Sequence, residues 1–448
     1  MSVNEVLQFV DKLVFEQTGK HLDHVQKSVV QGTWERQTYD SIADKCHVTK
    51  NHVGDVGYKL WQLLSEQLEE DINKRNFRST LERLQLTSSP IIIQNNNHNF
   101  NFGSQEFPNI KYPKSKTDTK SYLLNHDLTI APRIIHFYDR ETELKNLSNW
   151  ILNQNIPLIS VLGLSGIGKT TLVKRFIDLN LEQFEVIIWK NLKFPKYIDL
   201  LLDDLLNICK QEPKDSIDDK FRQLLDLLID KKCLIVLDDV QDIFVSSQFS
   251  GQYQFEYYNY QNLFKMITEA EHQSHVILIS SEQCSEMHCL DEELYPIKCL
   301  ELFGIENVDI LNNKTLKDED RWLELINLYE GNIVYLKDIA ILIKDIYSGK
   351  VSDFLSENSL VITKNMQYHF RLLFDRLSPV EQQFILEFSK FDNPVSREDL
   401  RQNLDLSLTD FMNSLQSLQQ RYLVRQINQE NIFFNLSPVF REYVRHCC

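Results

Sequence analysis

The sequence predicts a multidomain α/β chain: an N-terminal helical domain of helix-turn-helix type, a parallel α/β domain, a helical segment and a C-terminal winged helix. Three observations carry that expectation. Short apolar runs alternate with amphipathic stretches between residues 131 and 304, the rhythm of parallel strands covered by helices on both faces. A cluster of glycines ending in Lys169 and Thr170 interrupts that rhythm between one strand and the helix after it. Ahead of both, residues 1–85 show helical spacing throughout.

Composition bounds the reading. A chain of 448 residues has room for several domains, each able to bury a core. Its 42% hydrophobic and 25% charged residues are ordinary for a globular protein. No apolar run approaches the roughly 20 residues that span a bilayer. Met1–Glu5 has neither the basic nor the apolar part of a leader, so the expected compartment is the cytosol, with no membrane partner. A net charge of −16 excludes a general basic surface for coating nucleic acid, though not a small local DNA reader. The eight cysteines show no disulfide-like spacing and should be reduced. Cys284, His288 and Cys289 lie close in sequence but lack the further ligands of a structural zinc site.

The first domain, 1–85, opens on Val6, Phe9, Val10, Leu13 and Val14 at helical spacing. Thr38 to Val56 follows the helix-turn-helix pattern. Ala43 is the small residue expected where the two helices cross. Ile42, Cys46 and Val48 flank the turn, and Val53 and Val56 face inward. Thr49 is the expected N-cap of the second helix, which should run on past Lys59 and Trp61. Trp34, Trp61 and Leu63 read as core. The outward residues Thr49, Lys50, Asn51, His52, Asp55 and Lys59 would meet DNA if the module reads it. With 11 Lys and Arg against 13 Asp and Glu in residues 1–85, docking to a protein partner or a second copy is favoured over DNA.

Residues 86–130 are polar and proline-bearing, from Ser88-Ser89-Pro90 through Asn95 to Asn99 and on to Pro113, and read as a flexible linker. In the α/β domain, 131–304, the predicted strands are Leu158–Leu162, Val186–Trp189, Leu234–Leu237, Val276–Ile279 and Ile297–Leu300. Thr170–Asp178 and Tyr197–Cys209 are among its helices. Residues 305–364 form the helical segment, wholly helical as far as 348. Residues 365–448 give three helices and two short strands, 422–426 and 432–436, the winged-helix layout.

The chemistry concentrates at Gly163-Leu164-Ser165-Gly166-Ile167-Gly168-Lys169-Thr170. Backbone N–H groups can crowd around phosphates only where side chains are absent, which Gly163, Gly166 and Gly168 arrange. Lys169 would reach the β- and γ-phosphates, Thr170 would offer its hydroxyl to Mg²⁺, and Thr171 would cap the α-phosphate. Such a loop needs an acidic residue at the end of a neighbouring strand, and Cys233–Val240 supplies Asp238 for Mg²⁺. Asp239 is the candidate to polarise an attacking water.

The order of these motifs over residues 131–445 resembles the NB-ARC branch of the STAND signalling ATPases. Phe137 to Leu144, with Arg140 at its centre, is similar to that family's opening aromatic-Gly-Arg-Glu motif, and the resemblance implies that Arg140 and its flanking backbone contact nucleotide. Phe184 to Leu192 resembles the family's second strand. Gly251-Gln252-Tyr253, Tyr260 and His272-Gln273-Ser274 are similar to a cyanobacterial subgroup in which an N-terminal helix-turn-helix precedes the ATPase, and WD or other repeats often follow it. The resemblance implies ADP or ATP with Mg²⁺ as ligands, an ADP state closed by the winged helix and an ATP state that opens and self-associates. This sequence departs from the pattern at four places. Ser281 stands where the phosphate-sensing arginine is expected, and Asp139 replaces the opening glycine. Gly331-Asn332-Ile333-Val334 lacks the proline, and Leu436-Ser437-Pro438 replaces Met-His-Asp. Binding is therefore expected ahead of turnover, with ATP hydrolysis slow at most. A nucleotide-gated DNA-binding regulator and a non-hydrolysing ADP-bound scaffold are the alternatives.

Overall fold

In the computed structural model, residues 125–287, 295–312, 315–428 and 432–448 are described, together with most of 22–68 and scattered positions between 6 and 77. The chain divides into two units, residues 1–115 and 116–448.

In the first unit, helices α1 (His24–Trp34), α2 (Tyr39–Cys46) and α3 (Lys50–Leu68) pack around Val29, Val30, Ile42, Val53, Leu60 and Leu64. Thr49 caps α3 as the sequence predicts, its hydroxyl accepting from His52 N at 3.3 Å. Ala43 is buried in the same core, as the sequence predicts. A Cβ placed on Gly32 would lie 2.5 Å from Ile42 Cγ1, so α1 also packs closely on α2 at Gly32. Trp34 and Trp61 are core, as expected, and each ring packs on Phe77. Thr49, Lys50, His52 and Lys59 are exposed; the side chains of Asn51 and Asp55 lie outside the described residues.

The second unit is built on a six-stranded parallel sheet. Its strands are β1 (Asn125–Asp127), β2 (Leu158–Leu162), β3 (Val186–Asn191), β4 (Cys233–Asp238), β5 (His275–Ser280) and β6 (Ile297–Glu301), in the spatial order β1-β3-β4-β5-β2-β6. Burial on both faces explains why β2, β4 and β5 are continuously apolar or nearly so. Along β2, Ile159 and Val161 face a cluster with Leu172, Val173, Phe176 and Ile177, while Leu158 and Leu162 face the opposite core. Helix α4 (Glu141–Ser148) and helix α5 (Lys169–Leu179) bury residues on the first face; α6 (Ile198–Ile208), α7 (Ile217–Asp230) and α8 (Tyr260–Glu269) cover the second.

Two expectations change here. Strand β1 lies in what reads as linker; its Asn-His-Asp sequence has no apolar alternation, and Lys190 on β3 anchors it through Asp127 at 2.9 Å. The rest of the linker, Ile91 to Ile93 included, lies outside the described residues. Residues 305–348 are not wholly helical. Extended and 3₁₀ turns precede α9 (Trp322–Leu328), and Glu330 and Gly331, both at positive φ, separate it from α10 (Ile333–Ile346).

Beyond α11 (Val351–Leu355) and α12 (Lys364–Asp375), α13 (Pro379–Phe388) begins with a reciprocal cap between Ser378 and Glu381. Strand β7 (Val395–Ser396), α14 (Arg397–Asn403), α15 (Leu408–Gln420), β8 (Val424–Asn428), β9 (Ile432–Leu436) and α16 (Pro438–Cys447) complete the chain. The three strands form an antiparallel sheet in the order β7-β9-β8, adding a strand to the two expected. No described helix is long and apolar enough to cross a membrane.

Candidate functional site

The glycine loop joins β2 to α5 at the carboxyl edge of the sheet, where open α/β folds hold ligands. Its conformation explains its composition. Gly163, Gly166 and Gly168 have φ of 141°, 82° and 102°, a region that residues with a Cβ avoid. A Cβ on Gly163 would lie 2.5 Å from Leu302 O, and one on Gly166 would lie 2.8 Å from Asn332 Oδ1. The loop is thus a backbone cradle held from behind, with the N-terminal end of α5 adding its partial positive charge. Lys169 is buried and its ammonium donates to Gly163 O and Leu164 O at 2.8 and 3.0 Å. Burial pulls its pKa down to about 8. A buried cation bonded to loop carbonyls, with the Asp238 and Asp239 charges near it, has the chemistry of a phosphate site. Thr171 is half-buried two residues into α5.

Asp238 ends β4, which is not adjacent to the loop strand as expected: β5 lies between them. Thr170 nevertheless reaches across, its hydroxyl donating to Asp238 Oδ1 at 3.3 Å. Burial first, and then the neighbouring Asp239 charge, push Asp238 up to about 7. A buried carboxylate with a hydroxyl beside it and a second carboxylate next door fits the donor set of Mg²⁺. Asp239 has φ of 58°, and its side chain is occupied: Oδ2 accepts from Asn191 Nδ2 at 2.8 Å and Oδ1 from Gln241 Nε2 at 3.1 Å.

Arg140 is buried beside the glycine loop. Its guanidinium bonds Glu143 at 2.7 Å, Ile167 O at 3.3 Å and Phe303 O, so it braces the cradle from outside. Asp139 and Arg140 have φ of 57° and 79°; the left-handed turn is kept although the glycine is not.

Several residues reach the site that sequence reasoning passed over. Asn332 caps α10 by accepting from Val334 N and Tyr335 N, and its Nδ2 donates to Ser165 O at 2.9 Å. Ser437, in the segment replacing Met-His-Asp, donates its hydroxyl to Glu330, two residues before Asn332. Glu282 is buried and binds Arg376 Nε at 2.8 Å and Arg421 Nη1 at 3.0 Å, both from the C-terminal segment. Ser281 N donates to Gln241 Oε1 at 3.1 Å. A cavity of about 610 Å³ adjoins the loop, lined by Ser165, Gly166, Gln241, Ser281, Glu282 and Arg376, among others. Pairs separated by about a hundred residues leave no spacing signal, which is why the sequence did not reveal them.

His288 and Cys289 lie outside the described residues, and Cys284 is buried 3.5 Å from the Tyr253 hydroxyl. Among the described residues no cluster of His, Cys, Asp and Glu could hold a metal by itself.

Comparison with known proteins accords with the motifs. Residues 1–84 match the N-terminal helix-turn-helix of vWA-MoxR associated proteins, and residues 137–293 match an ATPase domain found predominantly in Archaea. An uncharacterized WD repeat-containing protein of Nostoc is 28% identical over 335 residues, 70% of this chain and 26% of that protein. The tomato ToMV resistance protein Tm-2(2) is 32% identical over 99 residues, 21% of this chain and 11% of its own length. The chain therefore spans about a quarter or less of these relatives. A Walker-type ATPase of Pyrococcus abyssi superposes with a TM-score of 0.49 at 16% identity, covering 69% of this chain and 96% of its own. A STAND protein with a tetratricopeptide repeat sensor from Pyrococcus horikoshii gives 0.33 at 16% identity, over 71% of this chain and 44% of that one. The chain thus joins an N-terminal helix-turn-helix domain to a P-loop ATPase domain, and its motifs resemble those of the NB-ARC branch of the STAND ATPases.

Proposed function

We propose that the chain is an ADP- or ATP-binding signalling switch whose nucleotide state is passed to its N-terminal helical module. One observation carries the reading: the C-terminal segment bonds both the glycine loop and the wall of the cavity beside it. Asn332 grips Ser165 on the loop side, while Arg376 and Arg421 grip Glu282 at the end of β5. A ligand in the cradle would thus bear on the position of everything after residue 330, as a switch requires.

In this reading residues 1–85 form the output module, 86–130 the linker, 131–304 the nucleotide domain, 305–364 the helical subdomain and 365–448 a winged helix acting as lid. The helix, strand, helix, helix, strand, strand order of α13 to β9 supports the last assignment. Gly163, Gly166, Gly168, Lys169 and Thr171 would hold the phosphates, with Thr170 and Asp238 holding Mg²⁺. Bound magnesium would supply a positive charge against the phosphate oxygens and relieve the crowding of Asp238 and Asp239. Arg140 would act through the loop it braces. Asp239 is the one candidate base, and both its oxygens already accept hydrogen bonds. That occupation favours the non-hydrolysing scaffold as the second reading.

The test is thermal unfolding with and without Mg²⁺ and ADP. At a ligand concentration about a hundredfold above Kd, the wild-type chain should gain about 2.7 kcal/mol and Lys169→Ala should gain almost nothing. Equal stabilisation of both proteins would remove the cradle from the account. Phosphate release above background over hours would exclude the scaffold.

A further inference from the structure

The loop after β3 and the segment after β4 expose aromatic rings side by side. Phe194 and Tyr197 lie in the first, and Phe255, Tyr257 and Tyr258 in the second. Phe255 is 94% exposed and Tyr197 and Tyr258 57% each, with Phe194 and Leu200, on the first turn of α6, close to half. Single exposed apolar residues are ordinary, whereas several together mark a surface that meets something. Both segments leave the carboxyl edge of the sheet, but β4 and β5 lie between β3 and the cradle strand. None of these residues lines the cavity beside the glycine loop.

The two segments are fastened to each other, so the rings hold fixed positions. Tyr257 donates its hydroxyl to Pro195 O at 3.2 Å, and the buried Tyr260 donates to Lys196 O at 2.8 Å. Ring pairs continue the fastening, with centroids 6.2 Å apart for Tyr197 and Tyr257, and 6.3 Å apart for Tyr257 and Tyr260 and for Tyr253 and Tyr258. The 3₁₀ turn Phe255–Tyr257 leaves Phe255 standing in solvent. Rings held in advance bind at small entropic cost, because little freedom is left to lose.

The charge around the rings selects the occupant. Glu256 is exposed between Phe255 and Tyr257 and makes no ion pair among the described residues. Asp199, Asp203 and Asp204 follow Tyr197 along α6. The nearby cations are engaged: Lys220 is buried between Asp199 and Asp203 at 2.8 and 2.6 Å, and Lys196 pairs with Asp204 at 2.6 Å. Lys193 acts on Asp242, where it opposes the upward pull of burial on that carboxyl. Lys193 aside, the carboxylates of Asp199, Asp203, Asp204 and Glu256 outnumber the lysines, Lys196 and Lys220, that they already hold. Aromatic faces with carboxylates at their rim attract a weakly hydrated planar cation: guanidinium stacks on the ring while its edge bonds the carboxylate. A phosphate backbone would meet the same carboxylates unfavourably.

We propose that this platform docks an arginine-bearing segment of a partner protein, its guanidinium groups stacked on Phe255, Tyr258 and Tyr197 with Glu256 as counter-charge. The docking site is separate from the cradle and does not depend on the nucleotide reading above.

The experiment is fluorescence titration of the full chain against a labelled glycine–serine peptide carrying several arginines, with the matching lysine peptide beside it. The arginine peptide should bind about threefold tighter or more, since lysine keeps the charge without the planar face. Tyr258→Leu keeps apolar area and loses the ring. It and Phe255→Ser should each weaken the arginine peptide about threefold, and together about tenfold. Phe255→Ser alters a side chain almost wholly in solvent, so it preserves the test if the Tyr258 variant loses stability. Glu256→Gln should weaken both peptides and reduce their salt dependence, and Lys169→Ala should bind them like the wild type. Undiminished binding to Phe255→Ser and to the double variant would leave the chain's net charge of −16 as the cause and overturn the proposal. Equal affinity for the lysine peptide would do the same. Oligothymidine binding lost in the same variants would make the platform a base-stacking surface, and a wild-type dimer dissolved by Phe255→Ser would make it a self-contact; either result overturns the assignment.

Discussion

His275 shows how strongly a single buried residue can tie this fold to pH. It opens β5 with no exposed surface, its Nδ1 donates to Ile156 O at 2.8 Å, and among the described residues Nε2 has no partner. Burial, opposed by that hydrogen bond, holds its pKa down at about 4. Lys232 and His272 add repulsion, and His272 is itself lowered by burial. The sign follows from the neutral form being the folded one. In the unfolded chain His275 takes up its proton near pH 6.5, so its stability contribution is complete above that value. It drains away as pH falls toward 4, by about 3 kcal/mol in full. Urea melts between pH 7 and 4.5 should show this slope, and His275→Gln should flatten it. An equally steep slope in the variant would assign the acid sensitivity to other groups.

Among the elements, α10 deserves the closest test because its first turn touches the phosphate cradle. Asn332 does two things at once: its oxygen caps the helix and its amide holds Ser165 O. Asn332→Ala should therefore cost about 2 kcal/mol, one for the cap and one for the tie, and should weaken nucleotide binding several-fold. Asn332→Asp retains the cap but sets a carboxylate against a carbonyl. It should restore most of the stability and little of the affinity. If both variants bind nucleotide like the wild type, the tie to the loop has no part in binding. The sequence made α10 visible as a helix through its apolar spacing, but it showed Gly331-Asn332 only as a departure from a family pattern. The cap and the tie exist only because Glu330 and Gly331, at φ of 55° and 61°, turn the chain so that the amide meets the loop. Strand β1 was illegible for a related reason: three polar residues hold their place through Lys190 of the neighbouring strand, and not through a pattern of their own.

For the molecule as a whole, charge makes the clearest forecast. The chain carries −16, and its first 85 residues are slightly acidic. Phosphate contacts supply most non-specific DNA affinity, so no shift of mixed-sequence duplex is expected at physiological salt. Gel shifts on random fragments, with Lys50→Ala and Asn51→Ala as controls, check this. A salt-sensitive shift abolished by those variants would reinstate the DNA-binding regulator.

By itself, the sequence determined the order of β2 to β6 along the chain, the helix-turn-helix and the glycine loop. All three are local: periodicity, caps and glycines at left-handed φ are written within a few consecutive residues. Only the tertiary structure decided that β5 separates the cradle strand from Asp238, that Arg140 bonds the carbonyls of Ile167 and Phe303, and that Glu282 is buried just beyond β5. Tertiary structure alone also brought Arg376 and Arg421 to that carboxylate. Those facts depend on which distant segments share a buried space, where an unpaired charge is costly and its partner can come from any part of the chain.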